Sequence, residues 1–309
     1  MTPHPRTTDP RNVHPVTQPQ TATDQQVYDR VAGGAAALVI RDYSSSFGLA
    51  SRLLRVPVRG QVRNIYALVR LADEVVDGPM ALERPKRAAD LLDRLESETL
   101  ETMRDGYSTN LVVHAFALTA RECGIGEELV TPFFASMRAD LSVRRHDRPS
   151  FEEYVYGSAE VVGLMCLRVF LACPRAVGAG QAPYDELAGG ARRLGAAFQK
   201  VNFLRDLAAD YHERGRSYFP GVDPQRLSET DKHRLLDDID ADLVAAGGAT
   251  RRLPDSSRSA VAVAHAVFGE LSARLRATPA SRIMDTRVRL SAGTKARLAV
   301  TALARERKA

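Results

Sequence analysis

Cysteine is scarce in this chain of 309 residues, which contains only Cys123, Cys166 and Cys173. None of the three forms a CxxC pair or a Cys/His cluster with zinc spacing, so the sequence offers neither a disulfide framework nor a zinc site. We interpret them as reduced, intracellular thiols that act as small buried hydrophobic residues.

Long hydrophobic runs are also missing. Residues 1–25 are rich in Thr, Pro, Gln and His, so we predict a disordered tail there and no signal peptide. The most apolar segment, from Val161 to Cys173, is too short to span a membrane and contains Arg168. We therefore expect a cytoplasmic protein, and peripheral contact with a membrane surface stays open.

Neither sign of charge dominates the sequence. Lys and Arg total 43 and Asp and Glu total 38, which gives a net charge of +5. The bases are dispersed among the acids and no nucleic-acid-binding motif is present, so we expect no nucleic-acid partner. A mildly basic protein is compatible with an anionic substrate or an anionic membrane surface, and the oligomeric state is left open.

Strand signals are few, because period-2 alternation is rare and there is no Asn-Gly hairpin. Segments rich in Ala, Leu, Arg and Glu carry apolar residues at helical spacing instead. We predict Ser150 as the N-cap of one helix and loops over 174–183 and 247–257. No linker divides the chain, so one all-α domain is expected over residues 26–309. The predicted helices are 24–40, 44–54, 58–77, 84–104, 108–122, 126–141, 150–172, 184–212, 228–245, 256–277 and 290–306.

The first acidic motif lies in the predicted helix 58–77. Asp73 and Asp77 are four residues apart, so their carboxylates share one helix face with Arg70 and Tyr66. Like charges at this spacing destabilise a helix slightly, and Mg²⁺ offsets the repulsion when it binds carboxylate and phosphate oxygens. Taken alone, such a pair is more typical of a solvated acidic face.

The second motif changes that interpretation. Gln199, Asn202, Asp206 and Asp210 form one polar stripe, and the positions between them are largely apolar. A stripe of this kind is costly to bury without partners, so we expect it to face a metal-lined cavity. Two such helices facing each other would clamp diphosphates through Mg²⁺, while apolar helices keep water from an allylic cation. Groups nearby that can neutralise a phosphate leaving group are Arg205, Arg214, Arg216 and Tyr218.

Both motifs resemble those of the squalene/phytoene synthase family. Asp73 to Asp77 is similar to its DxxxD motif, and Gln199 to Asp210 is similar to its Gln-x-x-Asn-x-x-Arg-Asp-x-x-x-Asp motif. The likeness spans about residues 27 to 305. The further similar segments are Tyr43 to Phe47 followed by Ala50 to Leu54, Tyr154 to Ala159 followed by Val162 and Gly163, Gly215 to Pro220 and, most loosely, Arg282 to Val288.

The resemblance implies an all-α isoprenoid synthase fold, a single helical bundle around a central cavity. It also implies Mg²⁺ as the cofactor, with Mn²⁺ as an alternative ion, and prenyl diphosphates as substrates. Tyr156 is expected to face the carbocation. The implied metal ligands and catalytic acids are Asp73, Asp77, Asp206 and Asp210, with Asn202 at the metal. The implied substrate-binding residues are Tyr43, Ser44, Ser45, Ser46, Tyr66, Arg70, Gln199, Asn202, Arg205, Arg216, Tyr218 and Arg287.

Two positions depart from the family pattern. Lys200 replaces a usually apolar residue, and its helical angle predicts a position outside the cavity. Ala209 stands where many members of the family have an acid, but Asp206 and Asp210 remain, so we expect activity to be retained.

The resemblance leaves more than one product open. Residues Ala72 to Pro79 are closer to bacterial phytoene synthases, which favours head-to-head condensation of two geranylgeranyl diphosphates to phytoene without NADPH. The alternative is a squalene or dehydrosqualene synthase that uses two farnesyl diphosphates. Squalene formation needs NADPH, and many squalene synthases carry a C-terminal membrane anchor, whereas this sequence ends in a charged segment. A non-catalytic scaffold relative is a remote alternative, because such a protein is expected to have lost acids that this sequence retains.

Overall fold

A computed structural model describes residues 23–44, 46–172 and 183–306, without the side chains of residues 46, 47 and 306. Within these ranges the regular structure is helical, and the strand-like pairing is one isolated bridge between Arg145 and Ser217. The helices are α1 (Asp24–Tyr43), α2 (Ser46–Ser51), α3 (Val58–Asp77), α4 (Pro79–Glu83), α5 (Pro85–Asp105), α6 (Leu111–Cys123), α7 (Glu127–Ser142), α8 (Arg148–Val155), α9 (Val161–Ala172), α10 (Tyr184–Arg205), α11 (Leu207–Arg214), α12 (Glu229–Arg251), α13 (Arg258–Ala277), α14 (Ala280–Ile283) and α15 (Ala292–Glu306). A π-helical turn (Tyr156–Glu160) joins α8 to α9, and a 3₁₀ turn (Pro224–Arg226) precedes α12.

The all-α prediction is confirmed, and α3 has the predicted bounds. It ends where predicted, because the N–H of Gly78 bonds to the carbonyl of Glu74 and Pro79 then begins the short α4. The predicted tail boundary at residue 25 is two residues too late, since Thr23 caps a helix that begins at Asp24. The rest of the predicted tail, residues 1–22, lies outside the described residues.

Three other boundaries are corrected. The N-cap of α8 is Asp147, not Ser150, because the Asp147 carboxylate accepts the Ser150 N–H at 2.9 Å. The predicted loop 247–257 begins later, since α12 continues through both of its glycines to Arg251. The predicted helix 184–212 is interrupted at Asp206, whose backbone (φ −100°, ψ 10°) separates α10 from α11. Most of the predicted loop 174–183 lies outside the described residues.

Among the described residues the core consists of two large apolar clusters and one small alanine cluster between α1, α3 and α6. One large cluster is built mainly from α3, α5, α6, α7 and α9 and contains Phe116, Phe133 and Phe134. The other large cluster is built mainly from α8, α10, α12 and α13 and contains Leu204 and Leu236. Residues from both large clusters line the central cavity described below, so the bundle surrounds the cavity as predicted.

The π-helical turn and α9 lie very close to α10. A Cβ atom added to Gly195 would come within 2.4 Å of the Ala159 carbonyl oxygen, and one added to Gly163 within 2.5 Å of that of Ala191. Only glycine permits so close a backbone approach at these two positions. The contact holds the apolar wall of the cavity against the helix that carries the second acidic motif.

One helical stretch, Arg148–Ala172, is long and apolar enough to span a membrane when judged by length and composition. In the fold it packs against α7 and α10, and 56% of its apolar window is buried. Its composition is therefore that of a core helix in this bundle.

Candidate active site

A cavity of about 1150 Å³ occupies the centre of the bundle. Sites for single drug-sized ligands measure about 300–1,000 Å³, so this cavity has room for a long ligand or for two. The cavity-facing stripe of α3 changes from apolar at Val62 to acidic at Asp73 and Asp77. Along α10 the lining changes in the same direction, from Leu187 to Asp206.

The two acidic motifs meet at one end of the cavity. Arg214 of α11 lies between them, with its Nε 3.6 Å from Asp77 and its Nη1 3.4 Å from Asp210. Asp73, Asp77 and Asp206 stand in or just after the last turns of α3 and α10, where the helix dipoles favour a bound cation. The predicted pairing of the motifs across a cavity therefore has the geometry of a cation and anion site.

Burial and mutual repulsion act on these carboxylates. Burial, reinforced by the neighbouring charge of Asp77, raises the pKa of Asp73 to about 7 even though Arg70 opposes the shift. Burial also raises the pKa of Asp210 to about 7, against the effect of Arg214 and with the help of Asp206 and Asp77. A cation bound between these carboxylates would stabilise their ionised forms, because it would offset both burial and mutual repulsion.

Asp206 differs, because two arginines already hold it. Arg205 donates to both of its oxygens at 3.0 and 2.5 Å, and Arg287 donates to the same two oxygens at 2.6 and 3.1 Å. Burial alone would raise the pKa of Asp206, but these hydrogen bonds and charges outweigh burial and lower it. Both predicted arginines thus reach the site, and both are bound to a carboxylate.

Arg216 is not where the sequence predicted it. This residue is 4% exposed and does not line the cavity, so the prediction of a diphosphate contact is corrected. Its guanidinium donates to Asp77 Oδ1 at 2.6 Å, to the Val76 carbonyl at 3.0 Å and to the Asp140 carbonyl at 3.1 Å. It therefore anchors the end of α3 to α7 and fixes Asp77.

Asp140 is a residue of the candidate site that sequence reasoning missed. It is buried in α7 and lines the cavity, and its carboxylate accepts the hydroxyls of Tyr154 at 2.7 Å and Tyr218 at 2.9 Å. Burial raises the pKa of Asp140 to about 6, although Arg216 opposes the shift. The available signal was an acid near the end of a predicted helix, on the same face as the apolar Met137. Tyr218, which the sequence predicts as a substrate-binding residue, lines the cavity, and its hydroxyl donates to Asp140.

Tyr156 does not line the cavity, so the prediction that it faces a carbocation there is wrong. Its ring packs at the edge of the apolar core with the guanidinium of Arg192 5.2 Å from its centroid. Tyr154, two residues earlier, lines the cavity instead. Residues two apart on a helix point to different faces, and only one of the two tyrosines can face inward.

The remaining predicted residues divide into described and undescribed ones. Tyr43, Ser44, Tyr66 and Arg70 line the acidic end of the cavity, and Arg70 lies 4.5 Å above the Tyr43 ring while it pairs with Glu74. Ser45 and the side chain of Ser46 lie outside the described residues.

Gln199 and Asn202 also line the cavity. In the part of the chain that the structure describes, their side-chain amides have no hydrogen-bond partner, so they are available to a ligand. Lys200 stays out of the cavity as expected, but it is buried, and its amine donates to Asp238 at 2.5 Å and to Asp242 at 2.7 Å.

The donor set decides how a metal would be held. Among the described residues, no three Asp, Glu, His or Cys side chains converge on a point where they could hold an ion by themselves. Mg²⁺ usually takes one or two protein carboxylates and completes its octahedron with water and substrate phosphates. Two pairs of carboxylates near helix ends, of which Asp73 and Asp210 have raised pKa values, fit that mode, in which ion and diphosphate bind together.

Comparison with known proteins agrees with this geometry. Residues 40–294 match the family model described as squalene/phytoene synthase. The chain is 35% identical over 185 residues to phytoene synthase 3 from Zea mays, covering 59% of this chain and 41% of that protein. It is 29% identical over 206 residues to 4,4'-diapophytoene synthase from Staphylococcus haemolyticus, covering 66% of each. The chain therefore spans only part of the length of these relatives.

The fold is shared with a solved dehydrosqualene synthase in complex with a ligand. The TM-score is 0.78 at 21% identity, and the match covers 92% of this chain and 99% of that one. This likeness confirms the expected isoprenoid synthase fold.

Proposed function

Because this chain belongs to the squalene/phytoene synthase family, we propose that it condenses two geranylgeranyl diphosphates head to head to phytoene and releases diphosphate. One observation carries the proposal. Two acidic pairs from separate helices meet, through Arg214, at one end of a cavity whose other end is apolar. That arrangement suits a substrate with an anionic head and a long hydrocarbon tail.

The acids are proposed as the metal site. Asp73, Asp77, Asp206 and Asp210, with Asn202, would hold Mg²⁺, or Mn²⁺ in its place. The ion would supply positive charge to the departing diphosphate.

The arginines at this end would assist by moving from carboxylates to phosphate oxygens. Arg70, Arg205 and Arg287 are the proposed donors, because each is within the site and each is now paired with Glu74 or Asp206. The guanidinium fork matches phosphate geometry as well as carboxylate geometry. Exchange of one anionic partner for another keeps the arginines paired throughout.

The apolar part of the cavity would protect the reactive carbons. When the first C–O bond breaks, its electron pair leaves with the diphosphate, and the allylic cation bonds to the double bond of the second substrate. Loss of a proton closes the ring of a cyclopropylcarbinyl diphosphate. That intermediate ionises in turn, rearranges and loses a second proton to give phytoene. Side chains such as Val69, Phe170 and Phe198 exclude water from these cations.

The proposed product is based on the sequence similarity to known relatives and on the residues of the first acidic motif, Ala72 to Pro79. Relatives in this family are phytoene synthases and a 4,4'-diapophytoene synthase, at about 30% identity. The alternative is a squalene or dehydrosqualene synthase acting on farnesyl diphosphate, and only squalene formation would need NADPH. A non-catalytic scaffold relative is disfavoured because all four acids are present and meet. We propose a cytoplasmic protein without a nucleic-acid partner.

The experiment is an incubation of the purified protein with Mg²⁺ and either the C15 or the C20 diphosphate, with and without NADPH. Mass analysis of the extracted hydrocarbon reads the outcome. A C40 product from the C20 substrate without NADPH is expected, and a C30 product would select the alternative. The variants Asp73→Ala and Asp206→Ala, as well as EDTA, are expected to abolish product. Asp90→Ala, which changes an exposed acid on α5, serves as the control and should retain activity.

A further inference from the structure

One stretch of the sequence breaks the even mixing of charges. From Tyr43 to Ala72 the chain has no acidic residue, although acids make up 38 of its 309 residues. The same stretch has five basic residues, and all are arginines. They are Arg52, Arg55, Arg59, Arg63 and Arg70.

In the fold, Arg52 and Arg55 lie in the turn between α2 and α3, and Arg59 and Arg63 lie in the first two turns of α3. Burial lowers the pKa of Arg63, and the charges of Arg59 and Arg52 lower it further, so these three guanidinium groups lie within range of one another. Arg52, Arg55, Arg59 and Arg63 make no ion pair among the described residues, whereas Arg70 pairs with Glu74. We name these four residues, together with Val56, the arginine corner.

Internal hydrogen bonds do not neutralise the corner. Arg59 Nε donates to the carbonyl of Leu54 at 2.9 Å, which orders the turn but brings no negative charge. The Nε of Arg63 is buried and has no partner in the described part of the chain. A cluster of like charges with an unpaired buried donor favours binding of an anionic partner from outside.

An exposed apolar side chain stands among these cations. Val56 is 79% exposed on the turn before Pro57, which makes it one of the most exposed large hydrophobic residues described. Cations around a protruding apolar residue are the composition of surfaces that lie in a membrane interface. A nucleic acid would be matched by the charges alone and would leave Val56 without a partner.

The arginine corner also lies beside the apolar part of the cavity, as expected for a surface that faces a membrane. From Val58 to Asp73 the helix rises about 22 Å, so the corner lies at the end of α3 remote from the acids. Leu54 and Val62, next to the corner, line the apolar part of the cavity. The N–H of Arg55 bonds to the Ser256 carbonyl at 3.0 Å, which joins the corner to the segment before α13, where Ala260 lines the same part.

We propose that the arginine corner docks the protein on an anionic membrane surface, with Val56 entering the headgroup region. In this orientation the apolar end of the cavity faces the bilayer and the acidic end faces the aqueous phase. The docking does not depend on the reaction, so it is measured without substrate. Each basic residue near an anionic leaflet raises membrane partitioning about fivefold, so loss of two should weaken it about 25-fold.

The test is co-sedimentation of the full-length protein with phosphatidylcholine vesicles, with and without phosphatidylglycerol. Binding only to the anionic vesicles, reduced by salt, is expected. The double variant Arg52→Gln/Arg55→Gln should weaken binding about 25-fold. Adding Val56→Ser to this double variant should weaken binding further. The matched control is Arg87→Gln/Arg94→Gln, which removes the same charge from exposed positions on α5 and should bind like the wild type. Both arginines of the test variant are exposed, and circular dichroism checks that each variant is folded.

Several outcomes would overturn the proposal. One is the absence of binding to anionic vesicles. Another is equal loss of binding in the test and control variants, which would show that only net charge matters. Adding inorganic phosphate to the buffer tests whether the corner binds free phosphate instead of lipid headgroups. If phosphate raises the melting temperature of the wild type but not of the test variant while vesicles do not bind, the corner is a phosphate site and not a membrane surface.

Discussion

Replacing Arg216 with leucine is expected to weaken the fold much more than replacing its neighbour Arg214. Both arginines contact Asp77, and both follow the second acidic motif. Arg216 is 5% exposed in its side chain and donates to Asp77, Val76 and the Asp140 backbone, whereas Arg214 is 25% exposed and makes longer contacts of 3.4 and 3.6 Å. The two variants remove the same charge from opposite environments.

The magnitude follows from what is left behind. In Arg216→Leu the carboxylate of Asp140 keeps its two tyrosine hydroxyls but loses the cation 3.5 Å away, and the Val76 carbonyl loses a donor. Removing one partner of a buried ion pair costs about 3–5 kcal/mol, so this range is expected for the loss in unfolding free energy. Partly exposed pairs contribute about 0–1 kcal/mol, so Arg214→Leu should cost no more than that.

The assay is urea unfolding of the metal-free protein, followed by circular dichroism, with melting temperature as a second readout. The unfolding entropy is roughly 2 cal/mol/K per residue, so for a chain of 309 residues 1 kcal/mol corresponds to roughly 1.5 °C, and Arg216→Leu should lower the melting temperature by about 5–8 °C. Loss of Arg216 also raises the pKa of Asp140 further, because that arginine opposes the effect of burial. A carboxyl whose folded pKa is raised binds more protons in the folded state, so the defect should shrink as pH falls toward about 5.

Activity separates the two roles. Arg214→Leu should keep the fold and lose turnover, because its guanidinium stands between the two acidic pairs. An Arg216→Leu protein with wild-type stability but no turnover would refute the assignment of Arg216 as an anchor and restore it as a substrate contact.

Three further predictions concern the cavity. In EDTA, the free energy of unfolding should fall as pH rises from about 4 to 7, because the raised pKa values of Asp73 and Asp210 let the folded state bind more protons than the unfolded state. Asp73→Asn should flatten this pH dependence in thermal melts. An unchanged slope would contradict the raised pKa of Asp73. Among the described residues, the buried hydroxyl of Ser158 has no hydrogen-bond partner, and this residue lines the cavity. Ser158→Ala should therefore raise the unfolding free energy by about 1 kcal/mol in urea melts, and a less stable variant would show that the hydroxyl is satisfied. Ala260→Phe should fill the apolar end of the cavity and change the ratio of kcat/KM values for the C20 and C15 substrates at least about tenfold in favour of the C15 substrate. An unchanged ratio would show that this end of the cavity does not determine which chain length is accepted.

Much of the fold could be predicted because it depends on local pattern. Helical periodicity and the helix-ending Gly78-Pro79 pair can be recognised from residues that are close together in the sequence, so the all-α class and the bounds of α3 could both be predicted. The spacing of Asp73 and Asp77, and of Asn202 and Asp206, is enough to define polar stripes. Helical geometry alone places such residues on one face.

Contacts between distant segments decided the rest. Arg216 and Arg214 are two residues apart and chemically identical, yet only the packing of α7 against the end of α3 makes one a buried anchor and leaves the other between the acids. Tyr154 and Tyr156 are equivalent in sequence, but a helix can turn only one of them inward. Asp140 acquired its role from two tyrosines and an arginine that the chain brings to it from far away. Periodicity assigns a residue to a face, but burial and charge pairing depend on which other element covers that face, and only the tertiary structure contains that information.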